Sequence, residues 1–394
     1  MPVTDSFERE VDVNGWPAIL SAVVLGTIGV ISFIIQPGIV QGFVTQLGVG
    51  EGEAVNLAGF EMLGVAMATV ALAAWGNRIG WRTVVAGGLA LAIAGDLGSA
   101  LFTASPLFAW FRFLAGLGEG TIISISFTFV GTTVHAERNL ALYLVMLLTY
   151  GAFGLWYLPE FLAAFGLPAM FYTFAALSAL ALVTVRFVPH AFSSDEMVNP
   201  EARQLSRIFL LSALAGVLAY NLAQGIAWAI LFLVGVGAGI DQQRVADALF
   251  LSQILAVAGA LSSVFLADRL NRNAAIAVGI LAGAASIALL LGRPTFALFT
   301  IGVCGFNVLW NFVLPFILGR ICDFDESGRM MSFAVATQMT GLGAGPLIAA
   351  RLLGGSGYRT VELVCIAMFV ASYFLLLIPI RRHAMLLSAP AGAI

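Results

Sequence analysis

The chain is a succession of apolar runs of about twenty residues separated by short polar stretches. Runs of that length are what an α-helix needs to cross the hydrocarbon core of a bilayer. Read by hydropathy, the pattern predicts about twelve spanning helices, over residues 17–41, 52–75, 83–103, 107–130, 139–164, 167–188, 207–235, 243–267, 274–292, 295–320, 328–352 and 359–380. Most intervening loops hold only a few residues, so consecutive helices should run antiparallel. The exception is "PHAFSSDEMVNPEARQLS", residues 189–206, which is long, polar and central. The pattern thus predicts an all-α membrane protein with six helices in 1–188, a cytoplasmic loop over 189–206 and six helices in 207–394.

Composition narrows the function classes. Of 394 residues, 60% are hydrophobic and 10% charged, against about 25% charged in soluble domains, and mean hydropathy is +1.00. Most of the surface must face lipid. All 18 basic residues are arginine. A Walker A loop holds phosphates with its lysine, so the "GLGEG" and "GLGAG" runs are no nucleotide cradles. Cys304, Cys322 and Cys365 lack metal-ligand spacing and read as packing residues. With no nucleophile–base set either, we expect no enzyme, no metal or cofactor and no nucleic-acid partner.

Arginine placement predicts sidedness. With the N-terminus inside, thirteen arginines fall in cytoplasmic segments and four on the other side, while Arg112 lies within a span. Both termini are then cytoplasmic, in a multi-pass protein of a bacterial-type inner membrane. The acidic N-terminal tail lacks the basic start of a signal peptide and leads to Trp16 at the expected interface.

The two halves share loop patterns. "WGNRIGWR" (75–82) follows helix two and "LADRLNR" (266–272) follows helix eight; "HAERNLALY" follows helix four and "FDESGRMMS" helix ten. Arg78 and Arg269 are 269 − 78 = 191 residues apart, as are Arg138 and Arg329. Two six-helix halves in parallel repeat are one of the known transporter plans. At this point the sequence resembles the major facilitator superfamily, whose loop between helices two and three reads G-x-x-x-D-R-x-G-R-R. Arg78, Gly80 and Arg82 match in the first copy, with Asn77 in place of the acid. Asp268, Arg269 and Arg272 match in the second, with Asn271 in place of the glycine. The resemblance implies two pseudo-symmetric six-helix bundles and, for these six residues, a conformational latch.

Charges within spans are costly, about 2.5–3.5 kcal/mol each on the milder scale, and mark functional candidates. Here they are Glu61, Asp96, Arg112 and Glu119, with Glu160 and Asp247 nearer helix ends. Arg112 and Glu119 stand in "FRFLAGLGEG" on nearly one helix face. They are about 10 Å apart along the axis, too far for a direct bond, so each needs another partner. Asp96 and Arg112 are equally distant from the turn at Ala104, which should bring them together, either as a structural pin or as a pair that breaks during transport. Glu61 and Glu119 lie near mid-depth. A carboxylate between an apolar wall, which favours its neutral form, and an arginine, which favours its charged form, can take up a proton from one side and release it to the other. Arg112, Gly116 and Gly118 also match the superfamily's helix-four pattern R-x-x-x-G-x-G. With an acid following, this is similar to organic-anion/proton symporters and spinster-like members, which implies that Arg112 and Glu119 couple protons or substrate. Gly116 and Gly120 form a face for close helix approach, and Gly341 to Pro346 should do the same in helix eleven.

The second half offers neutral groups at mid-depth: Tyr220, Asn221, Gln224 and Trp228 on helix seven, and Asn307, Trp310 and Asn311 on helix ten. The resembled fold places helices one, four, seven and ten around a central cavity. The expected division is proton coupling by Glu119, Arg112, Asp96 and Glu61 and solute binding by the amides and aromatics, although such amides also bond helix to helix. The expected function is proton-coupled transport of a small aromatic, amphipathic or monoanionic solute by a monomer. Sodium stays open as coupling ion. The rivals are a proton-driven efflux antiporter and a non-transporting receptor or assembly factor on the same scaffold.

Overall fold

In a computed structural model, residues 11–75, 80–189, 205–266, 269–325 and 329–388 are described, and these are helical with short connections. Helix α1 is broken: Trp16–Gly29 continues, at an angle of 50°, as Phe33–Leu47. Then follow α2 (Glu51–Trp75), α3 (Trp81–Leu101) and α4 (Phe108–Gly131). The next segment, Ala136–Ala181, would be about 69 Å long if straight, twice the roughly 30 Å of a bilayer core. It folds back at Gly166, whose φ of 77° is open to glycine, giving limbs α5 and α6. Helices α7 (Arg207–Gly237), α8 (Gln242–Leu266), α9 (Arg272–Ala288) and α10 (Phe296–Cys322) follow. Arg329–Ser388 folds back at Gly357, φ 72°, into α11 and α12.

The sequence periodicity survives in three dimensions. Gly166 and Gly357 are 191 residues apart, as are two further glycines of positive φ, Gly48 and Gly239. Ser21 Oγ donates to the carbonyl of Thr184 at 2.9 Å, and Ser212 Oγ, 191 residues later, donates to that of Leu375 at 2.8 Å. Gly80 and Asn271, at the same offset, are the N-cap residues of α3 and α9. One architecture is thus built twice, as the resemblance in sequence implies.

The halves meet chiefly through α2 with α11, α5 with α8, and the second limb of α1 with α7. These contacts run from mid-depth toward the side opposite the termini. A Cβ on Gly52 would lie 3.0 Å from the carbonyl oxygen of Ala350, and one on Gly343 2.7 Å from that of Met62. Phe153 packs edge-on against Phe250 with centroids 5.6 Å apart. Within the halves, α4 packs on α1, α2 and α3, and α10 on α7, α8 and α9.

Candidate functional site

The interior of the first half holds the mid-depth charges, and none of Glu61, Asp96, Arg112 and Glu119 exposes more than 2% of its surface. Arg112 is gripped from three helices. Its Nη1 donates to Asp96 Oδ1 on α3 at 2.8 Å. Its Nε donates to Glu61 Oε2 on α2 at 3.3 Å, while Nη2 bonds Glu61 Oε1. Nη2 also donates to Ser32 Oγ on α1 at 3.2 Å. The planar guanidinium fork suits this two-point hold on a carboxylate. The Phe171 ring on α6 covers one face of it, 4.6 Å from Cζ. Asp96 and Arg112 thus meet across their hairpin, and Arg112 and Glu119 make no direct bond. Instead Ser32 bridges them: its Oγ donates to Glu119 Oε1 at 2.9 Å. Glu119 Oε2 has no hydrogen-bond partner among the described residues. One fixed cation therefore faces three buried acids, and the surplus is acidic.

The glycines between Arg112 and Glu119 make this convergence possible. A Cβ on Gly116 would overlap the carbonyl oxygen of Glu61, and one on Gly120 that of Val65. On the neighbouring face a Cβ on Gly118 would overlap the backbone at Gly88 and Ala92 of α3. With α4 in backbone contact on two sides, the carboxylates of α2 and α3 come within reach of one guanidinium.

Helix α1 breaks beside this cluster. Pro37 has no N–H, so the carbonyl of Phe33 lacks its regular helical donor. The indole Nε1 of Trp228, on α7 of the other half, takes it at 2.8 Å. Gln253 Nε2 on α8 donates to the carbonyl of Ile34 at 3.4 Å. The hydroxyl of Tyr150 on α5 donates to that of Ile31 at 2.9 Å. The Phe33 carbonyl also accepts from the Gln36 N–H in a 3₁₀ turn, and all three carbonyls named here accept from a side chain of another helix, as a break within a bilayer favours.

Comparison with known proteins agrees with this architecture. The family model described as Major Facilitator Superfamily matches residues 18–321, more than three quarters of the chain. The chain belongs to the major facilitator superfamily. Among solved structures, the crystal structure of a mutant of the nucleoside transporter NupG superposes with a TM-score of 0.70, over 92% of this chain and 99% of that one. At 15% identity the likeness is one of fold. No curated relative matches the sequence.

The superfamily fold sorts the neutral candidates of the second half. Trp228 and Trp310 meet edge-on, centroids 6.1 Å apart, and Trp310 also packs on Phe33 of the first half at 6.2 Å. Gln224 Nε2 donates to Tyr220 Oη at 2.7 Å, and the Tyr220 ring packs on Phe369 of α12. Asn221 Nδ2 donates to its own helix at Val217, and its Cβ lies 2.8 Å from where one on Gly341 would stand. Asn307 Nδ2 donates to Ser252 Oγ on α8 at 2.7 Å, and Asn311 Nδ2 to the carbonyl of Asn307. Expected as one binding face, these residues divide. The tryptophans stand at the seam, Tyr220 packs into its own bundle, and each amide has one group committed to a neighbour. Asn221 Oδ1 and Gln224 Oε1, both buried, have no partner.

The remaining candidates stand elsewhere in the fold. Glu160 and Asp247 are exposed and lie outside the cluster. Of the latch residues, Arg78 and Asp268 lie outside the described residues. Gly80 caps α3, and Arg82 Nε donates to the carbonyl of Val188 at 2.7 Å. Arg272 pairs with Asp323 at 3.6 Å, and Arg269 is exposed. Asn271, standing where the family motif has glycine, caps α9 by accepting from the backbone N–H of Asn273 and Ala274. In α11, a Cβ on Gly345 would lie 2.7 Å from the backbone of Gly225, so the glycine run does pack closely. Ser32, Tyr150, Gln253 and Glu362 are absent from the sequence-derived candidates. Pro37 within the first apolar run marks the break by leaving the Phe33 carbonyl without its α-helical donor, but no sequence signal points to Ser32, Tyr150 or Gln253 themselves. Glu362, buried in the first turn of α12 with neither oxygen partnered, was passed over because acids were sought at mid-helix.

Proposed function

We propose that this member of the major facilitator superfamily is a proton-coupled transporter of a small organic solute, working by alternating access. The observation that carries the reading is the buried cluster of one arginine and three carboxylates, with one oxygen of Glu119 unpartnered. A surplus of buried negative charge is costly in a low dielectric, and binding protons relieves it. Glu119 is the proton carrier; Arg112, held by Glu61 and Asp96, sets its affinity. The proton is favoured over sodium because Arg112 fills the space between Glu61 and Asp96. No three ligating side chains converge closely enough to hold a metal ion among the described residues. Trp228 and Trp310, with the free amide oxygens of Gln224 and Asn221, favour an aromatic or amphipathic solute bearing hydrogen-bond donors. The bundles, 1–188 and 207–394, would rock about the central segment, with both termini cytoplasmic and the latch loops steadying one state.

The test is transport in proteoliposomes across a solute panel with an imposed pH gradient. Proton-driven accumulation should vanish in Glu119→Gln while solute exchange continues. Full, pH-dependent accumulation by that variant would remove Glu119 from the mechanism. Solute binding without any flux in the parent protein would favour a receptor.

A further inference from the structure

The break in α1 touches two things at once. On one side, the Ser32 hydroxyl accepts from Arg112 Nη2 and donates to Glu119 Oε1. On the other, the carbonyls of Phe33 and Ile34 accept from Trp228 and Gln253 across the seam between the halves. Ser32 and Phe33 are consecutive residues at the start of a single 3₁₀ turn, Phe33–Ile35, closed by the Gln36 N–H on the Phe33 carbonyl, because Pro37 supplies no N–H for the α-helical bond. Such a short turn is held in part by these outside bonds, so a change in one set shifts the other. An unbroken helix would resist such a shift.

Resting on the proton-carrier reading above, we infer that Ser32 is a positioning residue for coupling: through the α1 break it transmits the charge state of the Arg112–Glu119 site to the seam bonds of Trp228 and Gln253. The single hydrogen of the Ser32 hydroxyl makes it sensitive to that state. When Glu119 is ionised, the hydroxyl donates to it and leaves its lone pairs to Arg112, the arrangement observed. A proton on the unpartnered Glu119 Oε2 leaves Oε1 a neutral carbonyl oxygen, a weaker acceptor than a carboxylate, and so loosens the bridge. The titratable or charged groups facing this point are Glu61 from α2, Asp96 from α3, Arg112 and Glu119 from α4, and Tyr150 from α5, whose hydroxyl donates to the adjacent carbonyl of Ile31. From α6 comes the Phe171 ring. Glu61 and Asp96 bond the guanidinium, and Ser32 is the side chain of α1 that bonds both Arg112 and Glu119, so it is the one placed to carry the signal out of the cluster.

The experiment uses the full-length protein. Proton-driven accumulation and solute counterflow are measured side by side in proteoliposomes. In parallel, spin labels at Thr45→Cys and Gln242→Cys, on opposite walls of the seam, report separation of the halves at acid and alkaline pH in a cysteine-free background. In the parent, separation should respond to pH. In Ser32→Ala, the ratio of accumulation to counterflow should fall about tenfold, the size of one hydrogen bond to a charged group, and the pH response of the labels should be lost. Trp228→Phe, which removes the indole N–H from the far side, should also lose the pH response. Parental coupling and label response in both variants would overturn the role of Ser32. Absence of any pH response or proton coupling in the parent would instead overturn the proton-carrier reading, so the two failures are distinct.

Discussion

Arg112 is the side chain whose loss the first half should tolerate least. It is the sole cation among Glu61, Asp96 and Glu119, and removing one partner of a buried ion pair costs about 3–5 kcal/mol because the other is left uncompensated. Arg112→Ala should therefore lower the melting point well below that of the parent in detergent. Cys365 offers the readout: it is fully buried, with its Sγ donating to the carbonyl of Ala223. With Cys304 and Cys322 replaced, a thiol-reactive dye then reports unfolding alone. Adding Glu61→Gln to Arg112→Ala should recover part of the loss, since it removes one stranded acid. A parental melting point in Arg112→Ala would show that the ion pairs do not hold the bundle together.

At the scale of elements, the glycines of α4 decide how close the helices come. Even one methyl on Gly116 would overlap the Glu61 carbonyl. Relieving such overpacking typically costs about 1–3 kcal/mol, so Gly116→Ala should be destabilised by that order in the same assay. Gly87→Ala on α3, where an added Cβ meets nothing within 4 Å, should match the parent. This face was readable in sequence because small residues four apart report close packing directly. Depth was readable too, since helical rise is fixed, and so Asp96 and Arg112 could be matched across a short turn. What periodicity could not supply was helix rotation. Glu61 and Glu119 lie at similar depth, yet the Gly116–Glu61 contact turns Glu61 onto the guanidinium and leaves Glu119 to Ser32. Nor could hydropathy see that α1 is broken, because an apolar run scores alike whether straight or bent. Among the amides of α7 and α10, the bond of Gln224 to Tyr220, four residues back on its own helix, follows the helical spacing, whereas that of Asn307 to Ser252 on α8 is revealed only by packing.

Across the whole molecule, the 191-residue repeat places unlike chemistry on like scaffolds. Counted forward by that offset, Glu61, Arg112 and Glu119 fall on Ser252, Val303 and Trp310. The positions that hold acids and a base in the first half hold a hydroxyl, an apolar residue and an aromatic seam residue in the second. On the function proposed above, coupling and solute chemistry would be segregated between halves, to be joined by a motion of one half against the other. The contacts on the side opposite the termini would then be a gate that parts in each cycle. A Cβ on Gly52 of α2 would lie 3.7 Å from the Cα of Gly354 on α11, compatible with the about 4.4–6.8 Å Cα separation of disulfides. In a cysteine-free background, Gly52→Cys with Gly354→Cys should cross-link on oxidation and arrest solute flux, and reduction should restore it. Since neither residue touches the acid cluster or the tryptophans, arrest would come from blocked movement. Undiminished flux by the cross-linked protein would mean that the halves need not separate there, and the solute would then require a path that leaves this seam shut.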